Sequence, residues 1–423
     1  MRQLDWYAPA PADVGGSRLT LDFGLRAADL YFRELVVPGI GRVWFVRQLS
    51  WPVAALKLHA ILKAEHGRNI LPSAISQGIE ALGCKLALLQ EDGERSDRII
   101  GRRAFDRAPD AWDFASLRRS SYYVINTHRQ AATRALRVDG GLGLASGSRF
   151  NAMTLEPIGE ALAGAFLRQG RIALQNWLIG WLLGEASDPS RSDALCRALS
   201  PETASANERE IVRGRLIDVA DAAGATRRRL SQAIGARRTL DIEGSVIPNL
   251  RKAGQTAQAN EIVIARAFGL MLDRARDATA ALTQEIGSAR EGVALAALGR
   301  EQRVKPRIRA LQTAASDFLK TMETRSVEER SARAFASGLA QAETIEAAIR
   351  RLVAAAPLLL RVSGSSVVRG AQFRRISRTE AAGEAEDAGR TGLEADFTDR
   401  TFRIGNFHEL LLDCRAEAND RAA

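Results

Sequence analysis

The stretch THRQAATRALRV at residues 127–138 carries side chains whose types and spacing suit contact with nucleic acid. If the stretch is helical, with a rotation of about 100° per residue, five polar side chains share one arc of roughly 140°. These side chains are Arg129, Gln130, Thr133, Arg134 and Arg137. Arginine, glutamine and threonine reach both base edges and phosphate oxygens from a major groove. The pattern therefore predicts a helix that offers one face to duplex DNA.

The other face of the same predicted helix is small and apolar. Its members are His128, Ala131, Ala132, Ala135, Leu136 and Val138. Small apolar residues allow close packing, so we expect a neighbouring helix to cover this face. A polar arc is also an ordinary solvated helix face, and that interpretation stays open.

A predicted hairpin and a second helix follow residues 127–138. The letters DGG end the helix, LGLA is typical of a short strand, SGS of a tight tip, and RFNAMTLE of a return strand. Pro157 stands at the favoured first turn of the helix PIGEALAGAFLR. Arg149, beside the tip, is placed to contact a phosphate or the minor groove. An earlier helix is expected within DAWDFASLRRSSYYVIN.

The segment RALRVDGGLGLASGSRFNAMTLEPIGEALAGAF resembles the end of many bacterial winged helix-turn-helix domains. In those domains a helix ends in a short glycine-containing stop and leads into a wing, a Leu-Thr or Thr-Leu step and a Gly-Ala-Leu-Ala helix. The resemblance covers residues 103–168 of the 423. It implies double-stranded DNA as the partner, with residues 127–138 and the wing as the contact elements.

A second resemblance lies upstream. The segment LYFRELVVPGIGRVWFVRQLSWPVAAL is similar to the opening of some uncharacterised bacterial proteins encoded among phage-defence genes, in which a PGI step precedes an Arg-aromatic helix. This likeness implies an antiviral defence or mobile-element setting. It implies no activity and no functional residue.

Composition and charge indicate a globular, basic protein. Apolar residues make up 46% and charged residues 26% of the chain, which excludes a wholly disordered protein. The net charge of +10 favours a polyanionic partner, although a GC-rich genome also supplies arginine. Cys84, Cys196 and Cys414 form no paired framework, so we expect a reducing, cytoplasmic setting. The run WLIGWLLG at 177–184 is too short to span a bilayer and is expected in the core, without membrane contact.

The chain is expected to be mainly α-helical and multi-domain. Residues 1–100 form an N-terminal helical region, in which the breaker PGIG separates two helical runs. Residues 101–169 form the winged helix-turn-helix with its small β-hairpin, and residues 170–362 form a large Ala-rich helical region. Residues 363–423 form a basic and acidic segment that ends in a short docking helix.

Two further basic clusters are secondary candidates for phosphate contact. The first cluster, in GATRRRLSQAIGARR, comprises Arg227, Arg228, Arg229, Arg237 and Arg238. The second, in VRGAQFRRISR, comprises Arg369, Arg374, Arg375 and Arg378, with Phe373 among them. Non-specific affinity grows with the number of phosphates neutralised. The alternative is that these arginines are solvated or pair with the acidic stretch at 380–387.

The sequence shows no enzyme motif. A P-loop needs GxxxxGK followed by Ser or Thr, and no lysine of this chain stands in that context. His59 and His66 can share a helix face but have no acidic partner at ligand spacing, so no metal site is predicted. A paired acid followed by Glu-x-Lys, typical of restriction-type nucleases, is missing from the sequence. We therefore expect no catalysis, no metal and no cofactor, although a carboxylate site assembled in three dimensions stays open.

Three functions follow from these patterns. The first is a non-enzymatic double-stranded DNA-binding protein of a bacterial defence or mobile-element system, which grips DNA through residues 127–138 and the wing. The second is a helical scaffold subunit of a multi-protein defence complex, with the winged helix used for protein contacts. The third is an unrecognised nucleic-acid-processing enzyme. We expect the first, with a protein partner or a second copy of the chain beside the DNA.

Overall fold

Alanine, leucine and valine recur at helical spacing along most of the chain, and these segments fold into helices. The computed structural model describes residues 21–91, 95–107, 110–169, 173–186, 188–287, 289, 292–323, 329–373 and 402–416. Within these residues the protein is mainly helical, with two small antiparallel sheets. The predicted helical class is thus confirmed, while the winged helix and the division into four regions stay predictions.

The helices alternate with short loops throughout the described residues. Those of the first half are α1 (Arg26–Val36), α2 (Arg47–Glu65), α3 (Pro72–Leu89), α4 (Arg102–Phe105), α5 (Phe114–Leu117), α6 (His128–Leu136), α7 (Pro157–Leu167), α8 (Leu174–Leu183) and α9 (Asp193–Leu199). Those of the second half are α10 (Ala206–Ile217), α11 (Ala222–Ile234), α12 (Ile247–Lys252), α13 (Thr256–Ile286), α14 (Leu295–Leu298), α15 (Lys305–Glu323), α16 (Arg330–Ala340), α17 (Ile345–Ala354) and α18 (Phe402–Arg415). Short 3-10 helical turns occupy Phe150–Ala152 and Pro189–Arg191, and a π-helical turn occupies Ile242–Val246.

Both sheets are small and antiparallel. In the first sheet, β1 (Ala145–Ser146) pairs with β2 (Thr154–Leu155). In the second, β5 (Ser366–Arg369) lies between β3 (Val293–Ala294) and β4 (Leu360–Ser363). The first sheet follows α6 directly and therefore belongs to the region where the sequence predicts a wing.

The interior consists of two apolar clusters, and α2 contributes to both. Leu49 and Val53 belong to the larger cluster, which α1, α6, α13 and α18 also line. Trp51 and Leu58 belong to the smaller cluster, with α3, α8 and α9. A helix that is apolar on most sides has to be buried, and α2 is, between α3, α6 and α7. The helix α8, which carries the run WLIGWLLG, lies in the smaller cluster, so its predicted core position is confirmed.

The C-terminal helix α18 is embedded in the larger cluster through Ile404, Phe407 and Leu410. It packs against α1, α10 and α11. Its Asp413 Oδ2 accepts from the N–H of Val46, immediately before α2, at 2.8 Å. The contact joins positions that lie far apart in sequence, so α18 is an integral part of the fold.

Candidate nucleic-acid interface

The helix α6, which was predicted to face DNA, begins at His128 because two side chains accept from its first amides. The Thr127 hydroxyl caps the helix by accepting from the Gln130 N–H at 3.4 Å. The buried Glu80 carboxylate of α3 accepts from the N–H groups of His128 at 2.7 Å and Arg129 at 3.1 Å. A negative group is favourable at a helix N-terminus. The helix α3 therefore determines where α6 starts.

Glu80 is fully buried in a polar cluster with Tyr123 and Cys84. The Tyr123 hydroxyl donates to Glu80 Oε1 at 3.0 Å and lies 3.3 Å from the Cys84 Sγ. Burial raises the pKa of Glu80 to about 7, against the opposing effect of the groups that donate to it. Burial likewise raises the pKa of Cys84 to about 12, so its thiol stays protonated. These contacts hold the Glu80 carboxyl group in place beside the first N–H groups of α6.

The His128 ring connects α6 to two neighbouring segments. Gln48 Nε2 donates to the His128 Nδ1 at 2.9 Å, and the His128 Nε2 lies 3.1 Å from the Arg98 carbonyl oxygen. Burial lowers the pKa of His128 to about 4, so the ring is neutral at neutral pH. Its proton is then on Nε2, which donates to the carbonyl. Ala132 and Leu136 are buried on the same side, and the predicted packing of this face is confirmed for these residues.

The helix α6 ends at Leu136, earlier than the predicted end at residue 138. Arg137 has extended backbone angles, with φ −68° and ψ 148°, and forms a bridge to Ala145. The Leu144 N–H donates to the Leu136 carbonyl at 2.8 Å, so the hairpin segment replaces a further helical turn. Val138 consequently leaves the helix and is 52% exposed, and the prediction that it packs against a neighbouring helix is wrong.

The outer face of α6 is less open than the predicted polar arc. Gln130 is exposed, but Arg129 is half-buried, with its guanidinium carbon 5.1 Å from the centroid of the Phe150 ring. The Arg129 Nε is buried without a hydrogen-bond acceptor, and burial lowers the pKa of this side chain. The half-buried Thr133 donates its hydroxyl proton to the Arg129 carbonyl at 2.8 Å. Arg129 thus joins α6 to the hairpin instead of standing in solvent.

Arg134 is bound to α1. Its Nε donates to Glu34 Oε1 at 2.8 Å, and Arg403 of α18 donates to the same oxygen at 3.2 Å. The charge of Arg134 is therefore partly neutralised, which makes it a weaker phosphate ligand than the sequence predicts. Arg137 is half-buried just past the end of the helix, and its side chain has no ion-pair partner in the part of the chain that the structure describes.

The hairpin after α6 is compact and packs against α3. Its strands β1 and β2 are each two residues long, shorter than the predicted LGLA and RFNAMTLE, because a 3-10 turn with the buried Phe150 interrupts the second segment. The Asn151 Oδ1 accepts from the Ser73 N–H of α3 at 2.9 Å. Arg149 stays exposed beside this turn. A hairpin is present where it was predicted, but it lies against a helix, and a projecting wing is not confirmed.

The helix expected before α6 is the four-residue α5. Asp113 caps it by accepting from the Ser116 N–H at 2.9 Å. After Leu117 the chain turns and buries the rings of Tyr122 and Tyr123, which a continued helix would carry to other positions. The helix α7 begins at its predicted proline. The pair of full helices that a helix-turn-helix requires is therefore not confirmed.

The arginines at the start of the first secondary cluster are engaged by the fold. Arg227 is buried and donates to the carbonyl oxygens of Leu216 at 2.7 Å and Pro38 at 2.8 Å. Arg228 donates to the carbonyl oxygen of Ile217 at 2.7 Å. Leu216 and Ile217 end α10, where a positive charge is favourable. These two arginines thus serve as caps for α10, which leaves few donors for a phosphate.

The remaining secondary candidates differ in exposure. Arg229 donates to a glutamine side chain of α13 at 3.1 Å, whereas Arg237 and Arg238 are exposed. Arg369 lies on β5, with its guanidinium carbon 5.0 Å from the centroid of the Phe373 ring. Outside the described residues lie Arg374, Arg375, Arg378 and the acidic stretch at 380–387. Arg237 and Arg238 are thus the members of these clusters that the structure places at the surface without a side-chain contact.

Two arginines adjoin α6 that no local motif marks. The Arg42 N–H donates to the Ala131 carbonyl at 3.1 Å, and the side chain of Arg42 is exposed. The Arg215 Nε donates to the Leu142 carbonyl, just after α6, at 2.6 Å. Both residues belong to segments distant in sequence that the fold brings next to α6. The pattern of residues 127–138 could therefore not have predicted that they lie there.

The described residues hold no group of three or more His, Cys, Asp or Glu side chains arranged to bind a metal ion. His59 and His66 do not form a pair: the His59 Nδ1 lies 2.7 Å from the Ile70 carbonyl oxygen, and His66 is exposed at the end of α2. None of the described helices is both long enough and apolar enough to cross a membrane.

No protein-family model, no curated protein and no solved structure matches the chain. The exposed and half-buried polar side chains on and around α6 form a surface that we call the α6 face, and its members are Arg42, Gln130, Thr133, Arg137 and Arg149. Three of these five side chains are arginines.

Proposed function

We propose that the protein is a non-enzymatic double-stranded DNA-binding protein and that its α6 face lies against the phosphate backbone. The observation that carries this proposal is the 5.1 Å contact between the Arg129 guanidinium and the Phe150 ring, which holds α6 beside Arg149. Arg149, the chain neighbour of Phe150, thereby lies close to α6. A guanidinium binds phosphate both by its charge and by paired hydrogen bonds. The net charge of +10 adds a longer-range attraction to DNA.

The geometry favours contact with the phosphate backbone over the reading of bases. Two arginines predicted to reach base edges are otherwise engaged, since Arg129 lies on Phe150 and Arg134 pairs with Glu34. The arginines left for DNA lie past the end of α6 and beside the hairpin. Contacts to phosphate position a protein on DNA but carry little sequence information. We therefore expect binding that depends strongly on salt and weakly on sequence.

The biological setting that fits this proposal is a bacterial defence or mobile-element system. It is supported by the similarity of the N-terminal segment with PGIG to proteins encoded among phage-defence genes. In such a system a subunit that grips DNA without cutting it places its protein partners on the duplex.

Fluorescence anisotropy with a labelled duplex over a salt series tests the proposal. The test variant combines Arg137→Ala with Arg149→Ala. The matched control combines Arg333→Ala with Arg361→Ala, which removes the same charge from exposed positions of α16 and β4 that are not candidates for phosphate contact. Each phosphate contact contributes about 0.9 to the slope of log affinity against log salt. We expect the test variant to reduce that slope by about 1.8 and the control to leave it unchanged.

Two results of this experiment would refute the proposal. One is a wild-type protein whose duplex binding is missing or independent of salt. The other is an equal loss of slope in both double variants, because the loss would then reflect total charge and not the α6 face.

A second candidate function, a scaffold that uses the α6 face for protein contact, is favoured by two exposed apolar side chains. Ile125, just before α6, is 77% exposed, and Val138, just after it, is 52% exposed. Apolar side chains exposed beside polar ones are typical of protein interfaces. If this function is correct, Ile125→Ser with Val138→Ser abolishes self-association in sedimentation velocity, and the wild type does not bind the duplex.

A further inference from the structure

A basic stretch that the α6 face does not include lies at residues 300–309, between α14 and the start of α15. Five of its ten residues are arginine or lysine, against the single acidic residue Glu301. One of the five, Arg307, is half-buried and donates to Asp277 Oδ1 of α13 at 3.3 Å. The other four are exposed and form a surface that we call the 300–309 cluster, with the members Arg300, Arg303, Lys305 and Arg309.

The fold gives the members of the 300–309 cluster few partners. In the part of the chain that the structure describes, the side chains of Arg300, Lys305 and Arg309 form no hydrogen bond and no ion pair. The Arg303 side chain is 77% exposed and lies 4.0 Å from Glu285, a long distance for an ion pair. Exposed ion pairs of this kind contribute little. The donors of the cluster are therefore open to a ligand, in contrast to those of Arg129, Arg134 and Arg227.

The positive charge of the protein is concentrated in the part of the chain that contains the cluster. Residues 292–373 hold thirteen arginines and lysines and seven aspartates and glutamates, so they contribute +6 to the net charge of +10. Two carboxylates lie near the cluster, namely Glu301 and Glu346 of α17, which approaches Gly299. Neither of them forms an ion pair with a member of the cluster within the described residues. A polyanion at this surface thus meets an excess of cations.

The position of these cations is unfavourable for the fold itself. Lys305 and Arg309 stand four residues apart on α15, and like charges at this spacing destabilise a helix. The first turn of α15 has no acidic residue, although the helix dipole favours one there. Packing and capping therefore do not explain the cluster. A negatively charged partner that lies across it offsets both effects.

The arrangement of the cluster suits a nucleic acid backbone. Lys305 and Arg309 are about 6 Å apart along the axis of α15, and the other two members precede the helix. Cations that are spread in this way contact several phosphates of one strand, and each contact adds to the affinity. The apolar residues of the stretch, Val304 and Ile308, are buried. Surfaces that bind membranes or proteins present apolar side chains beside their charges, and the large exposed apolar side chains of the described residues all lie outside 292–323.

We propose that the 300–309 cluster is a second nucleic-acid surface, which binds the phosphate backbone independently of the α6 face. The helix α15 packs against α13, α16 and α17, whereas α6 packs against α2 and α3, so the two surfaces belong to different parts of the fold. With both surfaces occupied, one chain holds two stretches of nucleic acid. That last step rests on the proposed function of the α6 face, whereas binding at the cluster does not.

Fluorescence anisotropy over a salt series tests the proposal, with a short labelled DNA duplex in one arm and a labelled single strand of the same length in the other. The test variant combines Lys305→Ala with Arg309→Ala, and alanine preserves the helix. The control is Arg333→Ala with Arg361→Ala, which removes the same charge from the same basic part of the chain. We expect the test variant to reduce the slope of log affinity against log salt by about 1.8 for the duplex or about 1.4 for the single strand, and the control to leave it unchanged.

A second variant and a second measurement separate binding from folding. Arg300→Ala with Arg303→Ala changes the part of the cluster that precedes α15, so an effect on the helix cannot explain its result. We expect it to lose as much slope as the test variant. Sedimentation velocity with the short duplex in excess then counts the duplexes that one chain binds. We expect two for the wild type and one for either cluster variant.

The outcomes distinguish this proposal from that for the α6 face. If Arg137→Ala with Arg149→Ala binds like the wild type while the cluster variants lose slope, the cluster is a nucleic-acid surface and the α6 face is not. A loss of slope in the duplex arm assigns a duplex as the ligand, and a loss in the single-strand arm alone assigns a single strand. Cluster variants that bind both probes like the wild type, or that lose no more slope than the control, overturn the inference, as does a wild type that binds neither probe.

Discussion

Glu80 makes the stability of the protein depend on pH, and the sign of that dependence follows from its burial. Burial raises the pKa of Glu80 from 4.5 to about 7, so the folded state holds a proton that the unfolded chain releases between these values. The stability that this proton provides is fully present below pH 4.5 and is lost as the pH rises through 7. The difference between the two pKa values corresponds to about 3 kcal/mol of unfolding free energy.

The variant Glu80→Gln removes this dependence at nearly constant side-chain size. Below pH 4.5 we expect the variant to be less stable than the wild type by about 1–3 kcal/mol, because its NH₂ group faces the N–H donors of α6. At pH 8 the wild type has lost the roughly 3 kcal/mol of unfolding free energy that depends on the Glu80 proton. The variant has no titrating group at this position, so its stability does not change for this reason. The difference in stability therefore disappears or changes sign between acidic and alkaline pH.

Urea denaturation followed by tryptophan fluorescence, at a series of pH values from 4 to 8, measures this difference. The control is Glu160→Gln, since the Glu160 side chain is 48% exposed and pairs with Lys57 at the surface. We expect the control to follow the wild type at every pH. If the free-energy difference between the wild type and Glu80→Gln stays constant over the series, the α6 amides hold the carboxylate ionised, and the reasoning from burial is wrong.

Two further substitutions test other buried charges. Arg227→Lys removes hydrogen bonds to two carbonyls at 2.7 and 2.8 Å, so we expect a loss of about 3 kcal/mol in chemical denaturation, while the exposed Arg237→Lys changes little. A stability of Arg227→Lys equal to that of Arg237→Lys would contradict this role. Asp413→Ala removes the carboxylate that accepts from Arg98 at 2.9 Å and from the Val46 N–H at 2.8 Å, and we expect a loss of about 3 kcal/mol in the same measurement. A wild-type denaturation midpoint for Asp413→Ala would show that this contact does not hold α18.

Local patterns predicted the elements whose causes are local. The periodic segments at 259–286 and 331–356 fold into α13 and into α16 with α17. Pro157 begins α7, and a hairpin follows α6. Hydrophobic period, turn residues and a first-turn proline act over a few residues, so the sequence alone contains them. The Ser205 and Glu208 pair that caps α10 is also a local signal, which a search for capping boxes would find.

The partners of the arginines were not predictable from the same patterns. A helical projection assigns Arg134 to an outer face. In the fold, however, Glu34 of α1, which lies 100 residues upstream, accepts from Arg134 and partly neutralises its charge. Arg227 stands in a run of arginines typical of phosphate contact, yet it donates to the carbonyl of Pro38, 189 residues away. The end of α6 shows the same limit, because a hairpin hydrogen bond stops the helix before its amphipathic pattern ends.

Several charged side chains satisfy the polar ends of helices. Carboxylates lie at N-termini: Glu80 at α6, Asp413 at α2 and Glu208 at α10. Guanidinium groups lie at C-termini: Arg227 at α10 and Arg415 at α11. These signs match the helix dipole. Arginines used in this way add to the net charge of +10 while their donors are engaged by carbonyls. Under the proposed function, we therefore expect the short-range attraction to DNA to come from the arginines of the α6 face.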